Sequence, residues 1–197
     1  MNAMPRLLTA SATMLAAFIL TMGDANGGYF QPADVRKDLD DLVALLRAAR
    51  VDQKKVKAVV GAMEKKHSLD DLMAVYKPTK SKGVGYDPAK PGPGDGIEKR
   101  LVDLGTKKVV PAVQLQAEKA LLLRAVYYNL AMYEIAKEFG PPKKNPKNIA
   151  SWNKHNEELK GGTMEMKKAI EANDPKALKQ AMIRLNSSCT ECHSEFR

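Results

Sequence analysis

The chain holds only two cysteines, Cys189 and Cys192, and both fall on the apolar stripe of a single segment. Leu178, Met182, Leu185, Cys189, Cys192 and Phe196 succeed one another at steps of four and three. That spacing keeps side chains on one face of an α-helix. Asp174-Pro175 opens the segment as an N-cap followed by proline at the first helical position. The pattern predicts a final helix whose inward face carries both thiols, with His193 on its flank one turn after Cys189. Whatever packs on this helix must leave room for them.

The preceding segments predict helices too. Ile97 to Leu104 is short and ended by Gly105. Pro111 to Phe139 is long, apolar around much of its circumference between Leu121 and Ile135, and stopped by Gly140-Pro141-Pro142. A third segment spans about Ile149 to Ala172, with Trp152, Leu159, Met166 and Ile170 inward. Gly161-Gly162 is expected to interrupt it, lowering helix propensity or admitting something bulky close to the backbone. No strand alternation is visible, so the expected class is all-α. Residues 97–197 should form an antiparallel four-helix bundle.

An N-terminal helical extension is expected before it. Val35, Leu39, Leu42, Val43 and Leu46 mark one helix, and Val56, Val59, Val60 and Met63 a second. Ser68 and Asp71 make a capping-box start for a third, carrying Leu69, Leu72, Met73 and Tyr76. This arm, residues 30–77, is too small to be stable alone and should pack onto the helices C-terminal to it. Residues 78–96 concentrate Gly and Pro, which helix does not tolerate, and read as a linker or a long surface loop.

Residues 1–25 read as a secretory signal peptide. Arg6 precedes an uncharged, mostly apolar run from Leu7 to Met22, and small residues come after it. No later segment is long and apolar enough for a membrane span, so none is expected once the signal is removed. The expected location is the periplasm or another exported compartment. Removal of residues 1–25 takes one Arg and one Asp, leaving the net charge at +9. Such an excess suits an acidic partner protein or an anionic surface. Nucleic acid is not expected, because no binding motif and no basic stretch with interleaved aromatics is present. The sequence leaves the choice between monomer and homodimer open.

Cys-x-x-Cys-His is the attachment signature of c-type haem. The two thiols add to the two vinyl groups of one haem, and the adjacent imidazole reaches the iron. Other uses of the pair fit less well. A structural zinc site needs four ligands, commonly two separated pairs. A redox-active dithiol of thioredoxin type needs the pair at the start of a helix after a strand. A disulfide here would close only a tiny loop.

The ending from Asn186 to Arg197, Asn-Ser-Ser-Cys-Thr-Glu-Cys-His-Ser-Glu-Phe-Arg, resembles the C-terminus of cytochrome c′ and related class II cytochromes. The resemblance is specific over these twelve residues and matches helix order from about Ile97; it does not extend to Tyr29–Gly96. It implies an antiparallel four-helix bundle with one covalent haem c and its iron. Cys189 and Cys192 correspond to the thioether cysteines, His193 to the proximal iron ligand, and Arg197 to a basic residue beside the proximal haem face. A solvated terminal charge is an equal reading of Arg197.

The departure lies on the distal side. The family's first bundle helix supplies an apolar residue or a methionine there, and Ile97, Leu101 and Leu104 are what this chain offers. His67, His155, Met63, Met73, Met132 and Met166 are formally available from elsewhere. For each of them packing or exposure is the stronger explanation. The expected function is electron transfer, with Lys143, Lys144 and Lys147 docking an acidic redox partner or forming a solvated turn. The alternative is a five-coordinate haem that binds nitric oxide or carbon monoxide. No catalytic acid or base can be assigned by spacing, so the chain is not expected to be an enzyme.

Overall fold

The computed structural model describes residues 33–92 and 94–197. The segment expected to be a signal peptide lies outside the described residues. Among those described, helices α1 (Ala33–Arg47), α2 (Gln53–Glu64), α3 (Leu69–Met73), α4 (Ile97–Thr106), α5 (Ala112–Phe139), α6 (Pro146–Glu171) and α7 (Pro175–Phe196) are joined by turns and loops, with no strand.

The starts and stops have local causes. Asp52 caps α2 by accepting from the N–H groups of Lys54 and Lys55. Ser68 and Asp71 form the reciprocal capping box of α3. Helix α6 begins three residues earlier than the expected Ile149, because the Asn145 side chain accepts from Asn148 N–H and Pro146 takes the first helical position. Asp174 and Pro175 repeat that arrangement at α7.

Helices α4 to α7 pack antiparallel in the order α5, α6, α7, α4. Trp152 Nε1–H on α6 donates to the Ala136 carbonyl of α5 at 2.7 Å. Ser188 Oγ–H on α7 donates to the His155 carbonyl of α6 at 3.2 Å, and Asn186 Nδ2–H donates to the Leu101 carbonyl of α4 at 3.2 Å.

Two glycines set how closely α7 is held. A Cβ on Gly162 would sit 3.4 Å from the Leu185 Cα, so the Gly161-Gly162 pair does not interrupt α6 but lets α7 approach it. Gly105 plays the same part in α4. It does not end that helix, which runs on to Thr106, and a Cβ there would stand 3.3 Å from the Met182 carbonyl and collide with the Asn186 amide.

Helices α1, α2 and α3 pack on α5. Their buried residues Val35, Leu39, Leu42, Val56, Val60, Met63 and Leu72 join Leu122, Met132, Met166, Met182 and Leu185 in one continuous core. The Gly/Pro-rich segment is pinned to this core. Val84 is fully buried, and Arg124 of α5 donates to the carbonyls of Gly85 at 2.7 Å and of Val84 and Tyr86 at 3.3 Å. The buried carboxylate of Asp95 accepts from the backbone N–H groups of Tyr86 and Asp87, both at 2.9 Å, and from Thr79 Oγ1 at 3.2 Å. Charged partners make such bonds stronger than neutral ones, so the segment is a fixed surface loop.

Candidate functional site

Leu178, Met182 and Leu185 on the stripe of α7 are buried, as the periodicity predicts. Farther along, Cys189 is exposed and Cys192 and Phe196 are half-buried. The reason is helix length. Helix α4 starts at Ile97, only four residues before the Leu101 carbonyl that meets Asn186, so the last turns of α7 run past its end. On the other side α6 still covers α7. Phe196 meets Trp152 edge-on with ring centroids 5.1 Å apart. Glu195 accepts from Ser151 Oγ at 2.5 Å and from His155 Nε2 at 3.2 Å. The Cys-x-x-Cys-His turn is therefore held on one flank and open on the other.

The two thiols differ in surroundings. Cys189 keeps an exposed edge, yet the protein packed around its sulfur, with Cys192 and Glu98 nearby, pushes the thiol up to about 11. Burial also raises Cys192, helped by the negative charge of Glu195. Desolvation disfavours the charged thiolate, so both are neutral thiols at neutral pH. Neither is in a disulfide.

Tyr76, at the end of the turn after α3, comes from the N-terminal arm to this same place. Burial pushes its hydroxyl well above the usual phenol range, and the negative forms of Cys189 and Glu98 add to the shift. The Tyr76 carbonyl also lies against Gly96, where an added Cβ would stand 3.0 Å from it. No local pattern signals this approach, because Tyr76 and Cys189 are distant in the chain. The network of Ser151, His155 and Glu195 was equally hidden.

His193 is half-buried, and among the described residues its imidazole has no hydrogen-bond partner. Arg197 is exposed, with its backbone N–H donating to the His193 carbonyl at 3.1 Å. Of the other residues considered for iron, Met63, Met132 and Met166 are buried in the core. His67 is bonded to Asp38 at 2.9 Å and His155 to Glu195. Helix α4 turns Ile97, Leu101 and Leu104 inward, all buried.

These residues fit a haem. Two unpaired neutral thiols stand one turn apart on one helix, an imidazole with no competing partner comes next, and Tyr76 and Glu98 stand close to Cys189.

Helix α7 carries Cys-x-x-Cys-His in its last turns, the place that the resemblance of the chain's ending to class II cytochromes implies. The family model described as cytochrome C′ matches residues 145–197, the whole of α6 and α7, so this part of the chain is similar to cytochrome c′. Haem c with its iron is the cofactor the family implies. No curated protein and no solved structure matches the chain. Among the described residues, no helix is long and apolar enough to cross a membrane.

Proposed function

We propose that the protein is an exported electron-transfer cytochrome with one covalently bound haem. Cys189 and Cys192 form the thioethers, His193 ligates the iron, and Arg197 stands beside the proximal face. The observation that carries this reading is the Cys-x-x-Cys-His turn on an α6–α7 pair that matches cytochrome c′. The iron so held supplies one-electron exchange. The half-open flank of α7 supports exchange with a partner, since it leaves the attachment turn near the surface.

Charge supports the same role. Lys143 and Lys144 in the α5–α6 turn and Lys147 in the first turn of α6 are exposed, and Glu195 of α7, whose carboxyl is lowered chiefly by its hydrogen bonds from Ser151 and His155, also feels the charge of Lys147. The lysines thus border the end of the bundle that carries the motif. A positive rim at that end steers an acidic redox partner. The protein itself catalyses no group transfer in this reading.

Binding of a small gas is the second reading. It is favoured by α4, whose inward residues Ile97, Leu101 and Leu104 are all aliphatic and have no lone pair to offer an iron. Visible absorption spectra of the isolated protein, ferric, ferrous and with carbon monoxide, test both. Electron transfer predicts a low-spin spectrum indifferent to carbon monoxide; gas binding predicts a high-spin ferrous form that shifts when the gas is added. A protein without haem bands refutes both.

A further inference from the structure

A second chemistry-bearing cluster spans α6 and α7 and includes neither sulfur. A ring nitrogen of His155 and one carboxylate oxygen each of Glu158 and Glu191 all lie within 4.8 Å of one another. His155 and Glu158 are three residues apart on α6 and so share a face, while Glu191 reaches across from α7.

Acidic residues near a histidine are common at surfaces, and the cluster alone says little. The state of His155 says more. Its side chain is 6% exposed, and its Nδ1 has no hydrogen-bond partner. The carboxylate oxygen Glu158 Oε2 is 3.8 Å away, beyond hydrogen-bond reach. Buried polar atoms are ordinarily paired, so an unpaired one facing two carboxylates marks a place where a ligand can bind.

The other ring nitrogen shows which state the imidazole is built for. Nε2 lies 3.2 Å from Glu195 Oε2, and Ser151 Oγ–H fixes that same oxygen at 2.5 Å. With Nε2–H donating to a carboxylate, the neutral ring carries its lone pair on Nδ1. Histidines that ligate metals almost always make this second bond to a carboxylate, which fixes the tautomer and raises ligand basicity.

We propose that His155 Nδ1, Glu158 and Glu191 form a binding site for a divalent transition-metal cation of the zinc class. Two carboxylates balance the charge of the ion, the imidazole supplies a borderline donor, and the exposed side of Glu191 leaves a position for water. Small rotations of the two glutamates close the separation to metal–ligand distances of about 2.0–2.2 Å. The site joins α6 to the turn between Cys189 and Cys192, yet it uses neither thiol and does not depend on the haem reading.

The test is a calorimetric titration of Zn2+ into the full-length, tag-free protein. One saturable site per chain is expected. Glu158→Gln and Glu191→Gln should each weaken it at least tenfold, with the far-ultraviolet circular dichroism unchanged. The Cys189→Ser, Cys192→Ser double variant should keep it. Absence of a saturable site overturns the proposal, as does full binding by both glutamine variants. Binding lost only in the serine variant would place the ion on the sulfurs and overturn it too.

Discussion

The ring of Phe196 stands edge-on to the indole of Trp152, at an interplanar angle of 80°. Trp152 is itself fixed by its bond to the Ala136 carbonyl, so this contact ties the last turn of α7, which carries Cys192 and His193, through α6 to α5. An aromatic pair of this geometry is worth about 0.5–1.5 kcal/mol beyond the area it buries. Phe196→Ala should lower the free energy of unfolding by about 1–3 kcal/mol. It should also speed amide exchange in residues 192–197 while leaving α5 protected. Equal exchange along α7 in both proteins would show that the contact does not hold that turn.

Gly162 makes a sharper prediction about packing. Its position allows a methyl at ordinary contact distance from Leu185 but nothing branched. Gly162→Ala should therefore be close to neutral or slightly stabilising, because alanine favours helix. Gly162→Val should cost about 1–3 kcal/mol by forcing α6 and α7 apart. Urea unfolding of the two variants checks this, and equal stability would contradict the close approach.

Both tests bear on what the sequence makes legible. The stripe from Leu178 to Phe196, the capping pairs Ser68–Asp71 and Asp174–Pro175, and the Gly140 stop are local patterns, and the helices obey them. Gly105 read as a helix end, because propensity records its lack of side chain and not the neighbour that uses the space. The exposure of Cys189 depends on where α4 begins relative to α7, a tertiary relation that no periodicity records. The approach of Tyr76 and the pairing of His155 with Glu195 are likewise made by residues distant in the chain.

Acid should act on the N-terminal arm through Asp38. The hydrogen bond from His67 holds its carboxyl below the usual carboxylate range, against the opposing effect of burial, and Lys66 adds to the lowering. A folded value below the unfolded one means that the ionised carboxylate stabilises the fold above about pH 4, and that this contribution is lost as pH falls through the folded value. Between pH 5 and pH 3, stability of the native protein should therefore fall more steeply than that of Asp38→Asn. Parallel pH profiles in denaturant melts would remove Asp38 from the account.

The lysine rim predicts a rate. Oxidation of the reduced protein by the anionic complex ferricyanide should slow as ionic strength rises, because salt screens the attraction. The triple variant Lys143→Glu, Lys144→Glu, Lys147→Glu should react several-fold more slowly at low salt and lose most of that dependence. Stopped-flow traces that overlay for the two proteins would mean that electrons leave elsewhere.

Covalent haem at α7 is the central claim, and trypsin gives direct access to it. Cleavage after Arg184 releases Leu185–Arg197, which contains both cysteines and His193. With protein made in a host that has c-type maturation machinery, this peptide should emerge from acid denaturation coloured and heavier by one haem, and Cys189→Ser, Cys192→Ser should yield it colourless. A native peptide at its bare polypeptide mass would contradict the account.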